Sequence, residues 1–340
     1  MKLKNYCMLL FGLLSIMSCG NKKNVPDVSH ININITTKRF EQDFFNLDTL
    51  HLSSSLDNIN KKYPTFLPDY LYNILGLVPP QDSIVSQIKL FLRDGLYKNV
   101  FADAVKQYPS FSKVEKELKL ALKLTKYYFP KYQTPNTIYT FIGPIDGVGT
   151  AITSDHNFAV GLQGYLGKDY PAYQLGYIAQ IYPSYKTRKF EEQYIATNCV
   201  KNIIEELYPN KSNGRPLAER MIEEGKRMYV LDALLPYTSD TVKTGYTQNQ
   251  LELCFKNEKN IWAFFVSGNL LFEREPSLVS PYVTDGPKTQ ELSEAAPGNI
   301  GQFCGWQIVK KWMKENPKIS LQQLMETPNI TIFNEVGYAP

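Results

Sequence analysis

Histidine is almost absent from this chain of 340 residues, and most metal- or imidazole-based catalysis goes with it. His30, His51 and His156 are the three present, and no two stand four residues apart. The H-E-x-x-H pair that grips zinc from one helix face therefore cannot be made. No G-x-x-x-x-G-K-[ST] phosphate loop, no G-x-G-x-x-G fingerprint and no G-x-S-x-G elbow occurs either. Cysteine is scarce as well. Beyond the first twenty residues there are only Cys199, Cys254 and Cys304, an odd number that allows at most one disulfide. His156 with Cys199 or Cys304 could be drawn as a nucleophile pair, but a core cysteine more commonly serves as a small hydrophobe. Charge of one sign is also lacking: 37 basic and 33 acidic residues are spread through the chain, and no basic stripe points to nucleic acid.

No apolar run reaches the roughly 20 residues of a membrane-spanning helix. The longest, Cys7 to Ile16, follows Lys2 and Lys4 and reads as the core of a signal peptide. It runs into Ile16-Met17-Ser18-Cys19, a lipobox in type. The expectation is a leader over 1–18 and a lipidated Cys19 that ties the body to an envelope membrane. One acyl chain binds a bilayer marginally, whereas two or three hold it stably. Gly20 is not the Asp that retains some lipoproteins in the inner membrane, and no acidic cluster follows, so the periplasmic face of the outer membrane is the expected address. Residues 19–30 are polar, carry Pro26, and read as a flexible tether.

The body is expected to be one domain over 31–340, long enough and apolar enough to bury a large core. Ile31 to Ile35 alternates like a short strand. Helical patterns cover 51–75, 82–107 and 112–129, the last with Ser112 and Glu115 spaced as a capping box. Thr137 to Ile142 and Asn157 to Leu162 read as strands. After Pro183 the pattern is helical over 187–207, 216–235, 247–272, 299–315 and 320–326. The class is α+β, mostly helical, with a small mixed sheet packed on a helical body.

Glu224 breaks a local rule. Leu217, Met221, Met228, Leu231 and Leu235 form one apolar stripe on their helix, and Glu224 falls inside it. A carboxylate facing a core must be paired, hydrogen-bonded or neutralised. It is either a structural ion pair or a group lining a cleft. Asn198 and Asn202, at i,i+4 on the preceding helix, are either a solvated shoulder or the opposite wall of that cleft. Gly301 and Gly305, with Trp306, point to a closely packed final helix.

Several blocks resemble the GldB family of gliding-motility lipoproteins. After the lipobox come Arg39-Phe40-Glu41-Gln42-Asp43-Phe44-Phe45, Tyr127-Tyr128-Phe129-Pro130-Lys131 and Tyr165-Leu166-Gly167-Lys168-Asp169. The C-terminal half adds Glu224-Gly225-Lys226 with Leu231 to Pro236, then Gly245-Tyr246-Thr247, Asn257-Glu258 and Ile261-Trp262, then Pro297-Gly298, Gly301 and Gly305-Trp306-Gln307-Ile308-Val309. A more distant likeness is to zinc peptidases of zincin-like fold. Laid on this sequence, it turns their two histidines into Asn198 and Asn202 and their general base into Cys199, and keeps only Glu224. Amides are poor zinc ligands beside imidazole.

The resemblance implies a non-catalytic envelope lipoprotein, a metal-less pseudo-peptidase scaffold with no cofactor, that binds partners in the gliding and type IX secretion machinery. Its partners are then the membrane, through Cys19, and envelope proteins. The candidate cleft comprises Asn198, Cys199, Asn202, Glu224 and Trp306, and an extended peptide could add to the strand at 157–162. The alternative is a hydrolase in which Asp155, His156 and Glu224 converge on a metal.

Overall fold

The computed structural model describes residues 25–340; the leader, Cys19 and the tether as far as residue 24 lie outside the described residues. A four-stranded mixed sheet in the order β1-β2-β4-β3 forms the central layer. It is built from β1 (Thr36–Arg39), β2 (Thr137–Phe141), β3 (Thr150–Ile152) and β4 (Phe158–Gly161). The first three in spatial order run parallel, and β3 pairs antiparallel along the outside of β4.

The pleat divides the core in two, because successive side chains leave opposite faces. Ile138, Ile142, Phe158 and Val160 enter the larger cluster with the C-terminal helices. Tyr139, Phe141 and Ala159 enter a second cluster rich in rings, with Phe40, Phe44, Tyr63, Phe66 and Tyr70. That second layer comes from α1 (Phe40–Phe45), α2 (Leu52–Lys62), a turn at Phe66–Pro68 that continues as a π-helix over Asp69–Ile74, and α3 (Gln81–Arg93). Its rings meet mostly edge to face, with Phe40 and Tyr70 centroids 4.7 Å apart.

The larger layer holds α4 (Gly95–Gln107), α5 (Ser112–Tyr128), α6 (Gly176–Ile181), α7 (Ile195–Leu207) and α8 (Leu217–Leu234). It continues through α9 (Asp240–Thr244), α10 (Gln248–Lys256), α11 (Glu258–Ser267), α12 (Pro276–Val283), α13 (Ile300–Glu315), α14 (Leu321–Glu326) and α15 (Asn329–Val336). The protein is α+β and mostly helical, with the small sheet covered on both faces rather than one.

Several boundaries differ from expectation, each for a tertiary reason. The strand forms at Thr36–Arg39, not at 31–35, where Ile33 and Ile35 are buried in the larger core without pairing. Val28 is buried too, so packed chain begins inside the segment expected to be tether. The capping box of α5 is not made. Its Glu115 carboxylate instead accepts the Thr37 N–H at 2.8 Å, tying the helix to β1. The expected helix at 187–207 starts only at Ile195, after a single turn at Ser184–Thr187. The block Arg39-Phe40-Glu41 has a structural use. Glu41 is fully buried and accepts from Arg39 Nε and Thr140 Oγ1, both at 2.6 Å, while Arg39 Nη1 donates to the Tyr108 carbonyl.

Candidate functional site

Helix α7 lies against β3 and places three polar side chains on one face. Asn198 Nδ2 donates to Tyr165 Oη at 2.9 Å, and Asn202 Nδ2 donates to Thr150 Oγ1 at 3.2 Å. Between them Lys201 projects from the same face. Both amides are partly buried and committed, so the solvated shoulder is not what forms. They lace the helix to the edge of the sheet.

Beside this seam runs an open cleft of about 460 Å³, walled by Thr150, Tyr165, Tyr182, Phe190, Tyr194, Asn198 and Lys201, with Lys189, Asp285, Asn299 and Gln302 opposite. A second hollow of about 300 Å³ adjoins it and shares Lys201 and Gln302; Asn202, Asn210, Glu224 and Arg227 line it. Asn198 thus lines the first hollow, and Asn202 and Glu224 line the second.

Glu224 is half-buried, and Asn210 Nδ2 donates to its Oε1 at 3.1 Å. No cation touches the carboxylate among the described residues, so the structural ion pair does not form. Arg227 turns instead to Glu205 and Glu223. Burial raises the Glu224 carboxyl above its ordinary range, and the Arg227 charge only partly offsets this. Lys201 is reachable by solvent along the cleft, yet protein crowds it from the sides. That desolvation, with the Lys189 charge, pushes its amine down to about 8. Lys189 itself is paired with Asp285 at 2.5 Å.

Two members of the expected set lie elsewhere. Cys199 is fully buried in the larger core, where burial raises its thiol far out of the reactive range. Trp306 is fully buried as well. Its Nε1 donates to Asp232 Oδ2 at 2.8 Å, and Lys310 Nζ sits 3.3 Å above its ring, so it holds α13 to α8 and lines no cleft. Cys254 and Cys304 are also buried and free, which leaves no pair for His156. The proposed hydrolase trio does not converge either. His156 Nδ1 pairs with Glu206 Oε1 at 2.7 Å, and Asp155 accepts from Thr153 and Thr65. Among the described residues no three His, Cys, Asp or Glu side chains come together as a metal would require.

No local pattern singles out Lys189, Asp285 and Gln302, which line the cleft, or β3. Lys201 had a signal: three residues after Asn198, it had to share that helix face. β3 has only three residues, too short for a periodicity to show.

A family model described as gliding motility protein GldB matches residues 21–340. The chain belongs to the GldB family. No curated protein and no solved structure matches it. The family description names a motility component and no reaction. Three of the blocks that carry the family resemblance have a packing role: Gly225 and Gly305 lie at a helix crossing, Trp306 anchors that crossing, and Arg39 with Glu41 ties β1 to α1. Among the described residues no helix is long and apolar enough to cross a membrane.

Titration offers two checks on the site. A carboxyl raised above its unfolded value of 4.5 withdraws stability as pH rises from that value through the folded one. Glu224→Gln should therefore melt about 1–3 °C above the native protein at neutral pH, and the gain should vanish at acid pH where both carboxyls are protonated. Thermal denaturation at the two pH values reads this directly. Lys201 at about 8 holds far more free amine near that pH than an ordinary lysine. Brief acetylation there, followed by peptide mass analysis, should modify Lys201 roughly tenfold faster than the exposed Lys259. Equal rates would contradict the crowding described.

Proposed function

We propose that this protein is a partner-binding lipoprotein of the cell envelope that serves the gliding apparatus and its secretion machinery. It is held by lipid on Cys19 at the periplasmic face of the outer membrane, and its body recognises another envelope protein rather than cutting one. Family membership supports the motility assignment; the lipobox supports the anchor.

The observation that carries the recognition role is the cleft itself. It runs beside β3, an edge strand of the sheet, and holds a lysine with no hydrogen-bonding partner among the described residues. An extended peptide laid along an edge strand gains main-chain hydrogen bonds, and side-chain pockets supply selectivity. β3 takes this role in place of the strand at 157–162, because β4 is flanked on both sides by β2 and β3. Tyr182, Phe190 and Tyr194 provide apolar surface, and Lys201 provides a counter-charge for an acidic group. A lipid anchor that confines two partners to one surface raises their effective concentration, so modest affinity suffices.

The test is motility of cells whose own copy is replaced by Lys201→Glu, with Lys259→Glu as a surface control carrying the same charge change. Both variants should accumulate and melt as the native protein does. Spreading should fail in the first and persist in the second. Normal spreading with Lys201→Glu would remove the cleft from the function.

A further inference from the structure

Where the N-terminal segment joins the body there is a second large hollow, of about 860 Å³, which has no part in the cleft. Val25 and Pro26 line it, together with Tyr127, Tyr128, Tyr229, Lys310 and Ile319. Tyr127 is 48% exposed, and Tyr237, beside the lining residue Pro236, is 77% exposed. Lys314 and Lys318 stand exposed at the end of α13 and on the turn that forms the rim. Two carboxylates, Asp232 and Asp240, also face the hollow, but both are paired with the buried Lys243.

The length of chain beyond this groove fixes what can cover it. Cys19 is six residues from Val25, and a fully extended chain of that length spans at most about 20 Å. A lipid on Cys19 therefore keeps the groove close to the bilayer surface, and Lys22 and Lys23 on the intervening segment add positive charge. Tyrosine rings favour the boundary between headgroups and water. Lysines near an anionic leaflet are drawn to it. At the other end of α13, Gln302 borders the cleft. Met313 at the groove stands eleven positions further along the helix, about 16 Å along the axis.

We propose that the groove lined by Val25, Tyr127 and Tyr229 is the membrane-facing surface of the protein, seated on anionic phospholipid headgroups, and that α13 carries the cleft away from the bilayer. This rests on the lipid anchor at Cys19. The body does not swing freely on its tether; it is set down in one orientation, with the recognition cleft turned toward its partners.

The test uses the full lipidated chain in vesicles of phosphatidylcholine and phosphatidylglycerol that contain a lipid with a nitroxide on its headgroup. A fluorescent thiol label is placed at Tyr127→Cys or, as control, at Tyr177→Cys on α6, the helix that leads into the cleft residue Tyr182; the native Cys199, Cys254 and Cys304 are buried. Flotation of the vesicles reads the anchor separately. The expected result is flotation of both proteins, with quenching several-fold stronger at 127 than at 177. Lys314→Glu combined with Lys318→Glu should bring quenching at 127 down to the control level without affecting flotation. Flotation with equal quenching at both positions would overturn the orientation and leave the anchor standing. Strong quenching at 127 that survives both charge reversals would overturn the role of the anionic headgroup. Failure to float would remove the anchor, and the orientation with it.

Discussion

Gly305→Ala should lower the stability of this protein by roughly 3 kcal/mol, seen as a fall in melting temperature of about 5–10 °C. A Cβ built on Gly305 would lie 1.6 Å from the Met221 carbonyl oxygen, and one on Gly225 would lie 2.1 Å from the Gly305 carbonyl oxygen. Helices α8 and α13 thus cross backbone to backbone, and no side chain can yield to make room. A methyl group there forces the helices apart and loosens the packing of Met221, Met228, Ile308 and Val309, all buried in the larger core. Gly95→Ala is the matching control. Open space surrounds that position, and the substitution should change stability by only a few tenths of a kcal/mol, toward stabilisation. A melting temperature for Gly305→Ala within about a degree of the native protein would mean that the crossing is not as close as described.

Cys19→Ser should move the protein almost entirely from the membrane to the soluble fraction. Each buried methylene of an acyl chain contributes about 0.8 kcal/mol of membrane affinity, so two or three chains hold the protein firmly and none leaves only weak surface contacts. Growth on labelled palmitate followed by fractionation reads both parts at once. The native chain should carry label and sediment with membranes; the variant should carry none and remain in solution. Label retained by Cys19→Ser would place the lipid elsewhere. The groove face, even if it favours headgroups, should not hold the body on the membrane without the chains.

Much of the fold could be read from the sequence where one period dominated a segment. β2 was legible because Thr137 to Phe141 is β-branched and aromatic, and α5 because Val114, Leu118, Ala121 and Leu122 recur on one face. Helix α13 was legible as a close-packed element from Gly301 and Gly305. Elsewhere a side chain was spent on a distant partner that no local pattern reveals. Glu115, spaced to cap its own helix, accepts from β1 instead. Ile31 to Ile35 alternates like a strand, yet buries Ile33 and Ile35 without pairing, and polar residues 36–39 take the ladder beside β2.

The candidate site was partly legible for the same reason. Glu224 stood out because burial makes a carboxylate costly, and it lines the hollow beside the cleft without a contacting cation among the described residues. Asn198 and Asn202 stood out by spacing alone, and their amides turned out to hold Tyr165 and Thr150. Trp306 belongs to a family block, but its indole is fully buried and donates to Asp232 of α8. Proximity in sequence did not imply proximity to the site.

The central claim, that the cleft beside β3 receives a partner polypeptide, is tested most directly by photo-crosslinking in living cells. A photoreactive residue would replace Thr150 on the cleft wall or, as control, Lys259 on the outer surface. The account predicts one defined adduct from position 150, carrying an extended segment of a single envelope protein and lost when Lys201→Glu is added. No adduct from 150, or the same set of adducts from both positions, would contradict it.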